Sequence, residues 1–213
     1  TCPVNTEYKV AFTYYYQSRR EFPVPESITA IQIPEYEDVQ CKLESYHYWK
    51  KRHVGYWRCG YVITFQFPEA GEYTFHTLKF IDKNGNELIH DIGNWTFIAI
   101  RTVPGYEIMY SGTAATSNNE EYPYEFGLPE EAELVSINYG PDQTLETSEN
   151  RGRITLDASD APVKVIRPKL VIKIGERYIE ACGTICYCGS EDVSEEDVEL
   201  SKARALEQKM LGQ

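Results

Sequence analysis

The sequence lacks the features that mark a membrane protein or a nucleic-acid binder. None of its 213 residues fall in a run of about 18 apolar residues, so no transmembrane helix is predicted. Positive charge is scarce: 21 lysines and arginines stand against 33 acidic residues, which gives a formal net charge of −12. A general binder of phosphate backbones needs a net positive field, so nucleic acid is excluded as a general partner.

Signatures of catalysis are also missing. The sequence contains no G-x-S-x-G, no P-loop, no G-x-G-x-x-G and no H-E-x-x-H motif. No cofactor is therefore predicted. An enzyme is the less favoured interpretation, although a pair of catalytic carboxylates can come from residues distant in sequence.

The residues that are abundant favour β-structure. The chain has 17 tyrosines and only 2 methionines, and tyrosine suits half-buried sheets. From Tyr8 to about Val103, short segments of alternating apolar and polar residues follow one another at regular spacing, which is typical of a β-sandwich. We predict an all-β fold with two β-sandwich domains, residues 1–103 and 104–190, followed by a short helical tail, residues 191–213.

Two turns are predicted from glycine. Asn84-Gly85 is typical of a two-residue type I′ hairpin turn, which would place Asp82 opposite Glu87. Gly175-Glu176 favours a type II′ turn, because glycine in the first position tolerates positive φ. That second turn predicts two apolar pairs on one face of a hairpin, Ile172 opposite Ile179 and Leu170 opposite Ala181.

Residues 67–101 carry a strand that starts with Gly-x-Tyr, a D-x-x-G-N turn and a closing strand. The positions that match this pattern are Gly71, Tyr73, Asp82, Gly85 and Asn86. The segment resembles the C-terminal half of bacterial immunoglobulin-like surface domains. The resemblance implies that the sandwiches are immunoglobulin-like and that the protein is a spacer, an adhesin or an accessory of an enzyme, and it brings no catalytic residue.

The segment ESYHYWKKRHVGYWRCGY, residues 44–61, predicts a long hairpin. With the turn centred on Lys50, Cys41 lies opposite Cys59, and we predict a disulfide between them. The same register places Leu43 opposite Trp57, both facing inward, and His47 opposite His53. Two histidines make a weak metal site, because structural zinc has four ligands, so solvated histidines are favoured.

The same hairpin has the composition of a binding surface, because aromatic rings and cations supply most of the binding energy in many interfaces. The predicted ligand is a protein or a glycan. The candidate ligand-binding residues are Tyr46, Tyr48, Trp49, Lys51, Arg52 and Tyr56.

Four further cysteines leave three alternatives open. Cys2, Cys182, Cys186 and Cys188 would form two disulfides, or the four ligands of a metal site, or remain in part as free thiols. Six cysteines in a chain of this size favour an oxidising, extracytoplasmic location, either secreted or on the cell surface.

The leading functional hypothesis is a non-catalytic extracellular module that binds a protein or a glycan or builds a surface assembly, with homo-oligomers included. The alternative is a secreted hydrolase, or a metal or redox protein that uses the C-terminal cysteines.

Overall fold

The computed structural model describes residues 1–16, 27–48, 56–106, 121–140, 143–146, 151–157 and 163–189. In this part of the chain the regular elements are β-strands and no helix is present, which confirms the predicted all-β class. The predicted helical tail, residues 191–213, lies outside the described residues. The strands are β1 (Cys2–Pro3), β2 (Tyr8–Tyr16), β3 (Ile28–Gln32), β4 (Gln40–Tyr48), β5 (Trp57–Gln66), β6 (Gly71–Asp82), β7 (Glu87–Ile100), β8 (Glu121–Gly127), β9 (Ala132–Gly140), β10 (Gln143–Glu146), β11 (Arg151–Asp157), β12 (Val163–Ile166), β13 (Lys169–Ile174), β14 (Arg177–Cys182) and β15 (Cys186–Gly189).

The described residues pack into two units. The first unit comprises residues 5–97, and the second comprises residues 1–4 and 98–189. Residues 1–4 belong to the second unit because β1 runs parallel to the end of β7, with Cys2 opposite Ala99. The predicted domain bounds, residues 1–103 and 104–190, stay a prediction.

The first unit contains two sheets. One is antiparallel and three-stranded, in the order β2-β5-β4, and the other contains β7, β6 and β3 as neighbours. In β5, Tyr61, Ile63 and Phe65 are buried and the residues between them are less so, because successive side chains of a strand point to opposite faces. One face of the three-stranded sheet is therefore the core face.

An aromatic core joins the two sheets of the first unit. The ring centroid of Phe65 in β5 lies 6.0 Å from that of Phe75 in β6 and 5.3 Å from that of Phe97 in β7. Phe75 and Phe97 stack with centroids 5.5 Å apart. These separations are typical of favourable aromatic pairs. Because the rings come from both sheets, the sheets pack face to face, and the first unit is sandwich-like.

The turn between β6 and β7 differs from the predicted type I′ turn. Gly85 has a φ of 80°, whereas Asn84 has a negative φ. The Gly85 N–H donates to the carbonyl of Asp82 (2.9 Å), and the Asp82 N–H donates to the carbonyl of Asn86 (3.0 Å). The loop therefore has three residues, with Gly85 at the bulge position, and Asp82 faces Asn86 rather than Glu87. The Asp82 carboxylate favours this loop because it accepts the backbone N–H groups of Asn84 and Asn86, both at 2.8 Å.

Replacing Gly85 with alanine is expected to lower the free energy of unfolding by about 1–2 kcal/mol, because a Cβ is unfavourable in the left-handed region. Gly71→Ala is the matched control. Gly71 has no positive φ, and an added Cβ would have the Tyr73 ring at 4.0 Å as its nearest neighbour, so we expect a change below about 0.5 kcal/mol. Urea denaturation measures both changes, and equal losses would contradict this description of the loop.

The second unit contains the predicted hairpin of β13 and β14. Gly175 has a φ of 59° and Glu176 has no positive φ, as a type II′ turn requires. Both predicted pairs are confirmed, Ile172 opposite Ile179 and Leu170 opposite Ala181, and all four side chains are buried. The hairpin is part of the four-stranded sheet β10-β9-β13-β14. Two further sheets have two strands each: β8 pairs with β11, and β12 pairs with β15. The buried face of the hairpin packs in a core cluster that also contains Tyr124 of β8.

The predicted disulfide between Cys41 and Cys59 is corrected by the register of β4 and β5. Cys41 lies opposite Phe65, and Cys59 lies opposite Tyr48. Residues 59 and 65 are six positions apart along β5, which corresponds to about 20 Å and is far beyond the reach of a disulfide. Both cysteines are free thiols.

The other predicted pairs of this hairpin are displaced in the same way. Leu43 lies opposite Ile63, Trp57 pairs with Tyr16 of β2, and His47 lies opposite Gly60. A bulge between Leu43 and Ser45 shifts the register once more. His53 lies outside the described residues, and the predicted pairing of His47 with it is replaced by the pairing with Gly60.

Candidate functional site

A shallow trough of about 290 Å³ crosses the outer face of the β2-β5-β4 sheet. Three consecutive residues of each strand line it: 11–13 of β2, 60–62 of β5 and 45–47 of β4. The trough opens to solvent, because Ala11, Thr13 and Ser45 are exposed and no residue of the other sheet lines it. It therefore lies on the face opposite the aromatic core.

Gly60 forms the floor of the trough. The register places it between Thr13 of β2 and His47 of β4, in the central strand of the sheet. Directly opposed residues of neighbouring strands project to the same face. Because glycine has no side chain, the space above the central strand stays open between the flanking Thr13 and His47.

The lining combines hydrogen-bonding groups with small apolar side chains. Val62 is the next residue of β5 on this face, and it lies between Ala11 and Ser45. The hydroxyls of Thr13 and Ser45 can each donate and accept a hydrogen bond. The lining contains no Asp, Glu, Lys or Arg. The trough is therefore an open surface without carboxylates, ammonium groups or guanidinium groups, and it has polar groups along both sides.

An ion-paired cluster lies beyond one end of the trough. Lys9 and Lys42 flank Thr64 of β5, two positions after Val62. The Glu44 carboxylate lies 2.9 Å from the Lys42 ammonium and 3.6 Å from that of Lys9. The hydrogen bond from Lys42 lowers the pKa of Glu44, so this carboxylate is ionised at neutral pH. The two lysines next to the trough thus already have an acidic partner.

An aromatic residue and a cation lie beyond the other end. Tyr15 of β2 is opposite Arg58 of β5, one outward-facing pair past Thr13 and Gly60. Both side chains are half-buried. A ring and a guanidinium in this position extend the trough with flat surfaces suited to stacking.

The predicted ligand-binding residues have different outcomes. Tyr46 is one of the lining residues, but it lies opposite the core-facing Tyr61, so its half-buried side chain projects to the core face of the sheet. Tyr56 is buried, with 7% of its surface exposed, and its predicted contact with a ligand stays a prediction. The backbone of Tyr48 pairs with Cys59, but its side chain is outside the described part of the chain. Trp49, Lys51 and Arg52 lie outside the described residues altogether.

Most of the trough was not anticipated from sequence, because most of its outward side chains are small and none belongs to Asp, Glu, Lys or Arg. The one signal was the alternation in β2, where the first two outward positions after Lys9 are small. The missed residues are Ala11, Thr13, Ser45, Gly60 and Val62.

Among the described residues, no three His, Cys, Asp or Glu side chains converge, so the cysteines in this part of the chain form no metal site. Cys2 and Cys182 are buried free thiols, and burial raises the pKa of Cys2 to about 11. The backbones of Cys186 and Cys188 pair with β12, and their side chains are outside the described set. For these two cysteines the disulfide, the metal site and the free thiols stay alternative predictions.

A histidine is buried in the core of the first unit. The ring centroids of Tyr14, Phe80 and Tyr16 lie 4.8, 5.0 and 5.5 Å from the imidazole of His90, each ring close to edge-on. Its Nε2 is buried without a hydrogen-bond partner among the described atoms. Burial lowers the pKa of His90 to about 4, against the opposing effect of Asp91, so the side chain is neutral at pH 7.

Acid is expected to destabilise the protein through His90. Unfolded histidine has a pKa of about 6.5, whereas folded His90 has one of about 4. Between these values the unfolded state binds more protons, so stability is full above pH 6.5 and falls as pH decreases towards 4. At pH 5 this loss is about 2 kcal/mol. The variant His90→Phe should lack this pH-dependent loss of stability. Urea denaturation of both proteins at pH 7.5 and 5 measures the difference, and the same pH dependence in both would refute the assignment.

Comparisons with known proteins give distant structural similarity only. No family model and no curated protein matches the sequence. One similar structure is the SGBP-B protein of the Bacteroides ovatus mixed-linkage glucan utilization locus, in complex with a mixed-linkage heptasaccharide; it is 14% identical over 88% of this chain and 41% of that chain, with a TM-score of 0.24. Another is the endo-fucoidan hydrolase MfFcnA4 from glycoside hydrolase family 107, 11% identical over 88% of this chain and 27% of that chain, with a TM-score of 0.28. The chain thus spans less than half the length of either protein. In the described residues no helix is long and apolar enough to cross a membrane.

Proposed function

We propose that this chain is a non-catalytic, extracellular module with immunoglobulin-like sandwiches, and that it binds a neutral carbohydrate chain in the trough of the first unit. The observation that carries the proposal is the lining of the trough, where Thr13 and His47 flank the bare backbone of Gly60, and Ala11, Ser45 and Val62 lie next to them.

The trough matches the chemistry of a sugar ring. A pyranose has hydroxyl groups around its edge and C–H groups on its faces. Thr13 and Ser45 offer hydroxyls on the two flanking strands, and Ala11 and Val62 offer apolar surface between them. Neighbouring strands are about 4.8 Å apart, so the trough is about 10 Å wide from β2 to β4. A sugar chain in this trough would meet polar groups on both sides.

The charges favour a neutral ligand. No Lys, Arg, Asp or Glu lines the trough, and the nearby Lys9 and Lys42 are paired with Glu44. An acidic polysaccharide would meet no Lys or Arg among the lining residues, with Arg58 only beyond one end, and would be repelled by the net charge of −12. Tyr15, beyond the trough, supplies a ring on which a further sugar can stack.

The same lining supports binding without cleavage. Most glycoside hydrolases use two carboxyl groups about 5–9.5 Å apart. No carboxylate lines the trough, and Glu44, next to it in β4, accepts a hydrogen bond from Lys42. A sugar in the trough would therefore be held and not hydrolysed.

Isothermal titration calorimetry with neutral oligosaccharides of β-linked glucose, mannose and xylose tests the proposal. We expect at least one of them to bind, and Gly60→Val to weaken that binding at least about tenfold, which corresponds to 1.4 kcal/mol. Valine fills the floor of the trough and suits a strand, so the fold should be kept.

Ile89→Ala is the control variant. Ile89 is 58% exposed on β7, in the other sheet, and its truncation should leave the affinity unchanged. Binding of sulfated or uronic oligosaccharides alone, or equal affinities of the wild type and Gly60→Val, would refute the proposal.

A further inference from the structure

Cys182 is buried on the face of its sheet that points away from the core of the second unit. In β14, Ile179 and Ala181 face that core, so Tyr178, Glu180 and Cys182 point the other way. Tyr178 is 66% exposed and Glu180 is exposed, yet Cys182 is fully buried. Another segment of the second unit therefore shields Cys182.

The short strand β1 is that segment. It approaches β14 to within 8 Å between Cα atoms, and Cys2 is fully buried as well. The Thr1 nitrogen donates to the carbonyl of Arg167 (3.0 Å), and the Arg167 Nε donates to the carbonyl of Gly183 (3.0 Å). Arg167 thus joins the residue before Cys2 to the residue after Cys182. These contacts bring the two cysteines into the same small buried region.

The electrostatics of the two thiols agree with this placement. Burial is the main cause of the raised pKa of Cys2, and a negative charge on Cys182 raises it further. Burial also raises the pKa of Cys182, and the charge of Arg167 opposes that shift. The charge of Arg167 therefore affects the pKa of both thiols.

We propose that Cys2 and Cys182 form a disulfide bond when the protein folds in an oxidising compartment. The two thiols together lose two protons and two electrons as the S–S bond forms. A disulfide of the glutathione or oxidoreductase class accepts the electrons and is reduced to two thiols. Because both sulfurs are buried in the folded protein, this exchange takes place before folding is complete, while a thiolate can still reach the oxidant.

The bond would fasten β1 to the sheet at β14. Strand β1 contains only two residues, and its pairing with β7 supplies few hydrogen bonds. A covalent link between residues so distant in sequence restricts the unfolded chain strongly. The two cysteines lie outside the trough, so a test of this disulfide does not depend on whether the trough binds a carbohydrate.

Peptide mapping tests the pairing in the full chain, refolded with reduced and oxidised glutathione and then alkylated at its remaining thiols. Trypsin places Cys2 in the peptide of residues 1–9 and Cys182 in that of residues 178–202, together with Cys186 and Cys188. We expect these two peptides to be linked in wild type and in the double variant Cys186→Ser with Cys188→Ser. Cys182→Ser should abolish the link, and Cys41→Ser should leave it unchanged.

Fragmentation of the linked wild-type peptides by tandem mass spectrometry identifies the partner of Cys2 directly, so the assignment does not depend on the folding of any variant. A bond from Cys2 to Cys186 or Cys188 would overturn the proposal. Complete alkylation of Cys2 after oxidative refolding would overturn it as well.

Discussion

Replacing Phe65 with alanine is expected to lower the free energy of unfolding by about 3–5 kcal/mol, the largest single effect in the first unit. Phe65 is fully buried in the central strand β5. Its ring contacts Phe75 and Phe97 of the other sheet. The ring centroid of Phe67, just after β5, lies 6.4 Å from that of Phe65. Truncation would leave a cavity between the two sheets that neither sheet can close alone.

Ile89→Ala is the matched control for Phe65→Ala. Ile89 lies in the same unit but is 58% exposed, so its truncation should change stability by less than about 0.5 kcal/mol. Urea denaturation monitored by circular dichroism measures both variants. A loss below about 1 kcal/mol for Phe65→Ala would show that the two sheets do not share the core described here.

Gly183→Ala is expected to have the second-largest effect, a loss of up to about 3 kcal/mol, which is typical of overpacking. A Cβ at this position would collide with the Tyr124 hydroxyl and lie 3.3 Å from Pro168 Cδ. Tyr124 is fully buried, and its hydroxyl accepts a hydrogen bond from the Thr184 N–H (3.0 Å). The backbone of Gly183 is itself fixed, because its N–H donates to the carbonyl of Pro168 (2.8 Å).

A double-mutant cycle with Tyr124→Phe isolates the cause. Tyr124→Phe removes the hydroxyl that an alanine at position 183 would meet and keeps the buried ring. In that background the loss caused by Gly183→Ala should shrink by at least about 1 kcal/mol, since residues in direct contact show coupling of this size. Additive losses in thermal denaturation would mean that the collision is not the source of the effect.

The hairpin of β13 and β14 could be predicted to the residue because its turn is short. A two-residue type II′ turn needs positive φ at its first position, and Gly175 meets that need. Once the turn is fixed, the register follows along both strands. The buried pair of Ile172 and Ile179 is the direct consequence.

The hairpin of β4 and β5 could not be predicted in the same way. No glycine-based turn signal fixes its centre, and the opposition of Cys41 and Cys59 by residue count was a coincidence. Its register depends on the burial of alternate residues of β5, such as Tyr61 and Phe65, and on the bulge after Leu43. A bulge has no reliable signature in a single sequence.

The trough was hidden from sequence analysis for a different reason. Its defining feature is the missing side chain of Gly60 in a central strand, flanked by Thr13 and His47 of two other strands. Those residues become neighbours only through the register of three strands, of which β2 is distant in sequence from β4 and β5. The aromatic and basic composition of residues 44–61 indicated β4 and β5, which both line the trough, but also side chains such as Tyr56 that the fold buries.

The central claim, that the trough binds a neutral carbohydrate chain, is tested most directly by NMR. Backbone amide shifts are recorded while the neutral oligosaccharide that binds most tightly in calorimetry is titrated into the ¹⁵N-labelled protein. We predict that the largest shift changes occur in residues 11–13, 45–47 and 60–62, and that Gly60→Val removes them. Shift changes confined to the second unit, or none at saturating sugar, would contradict the claim.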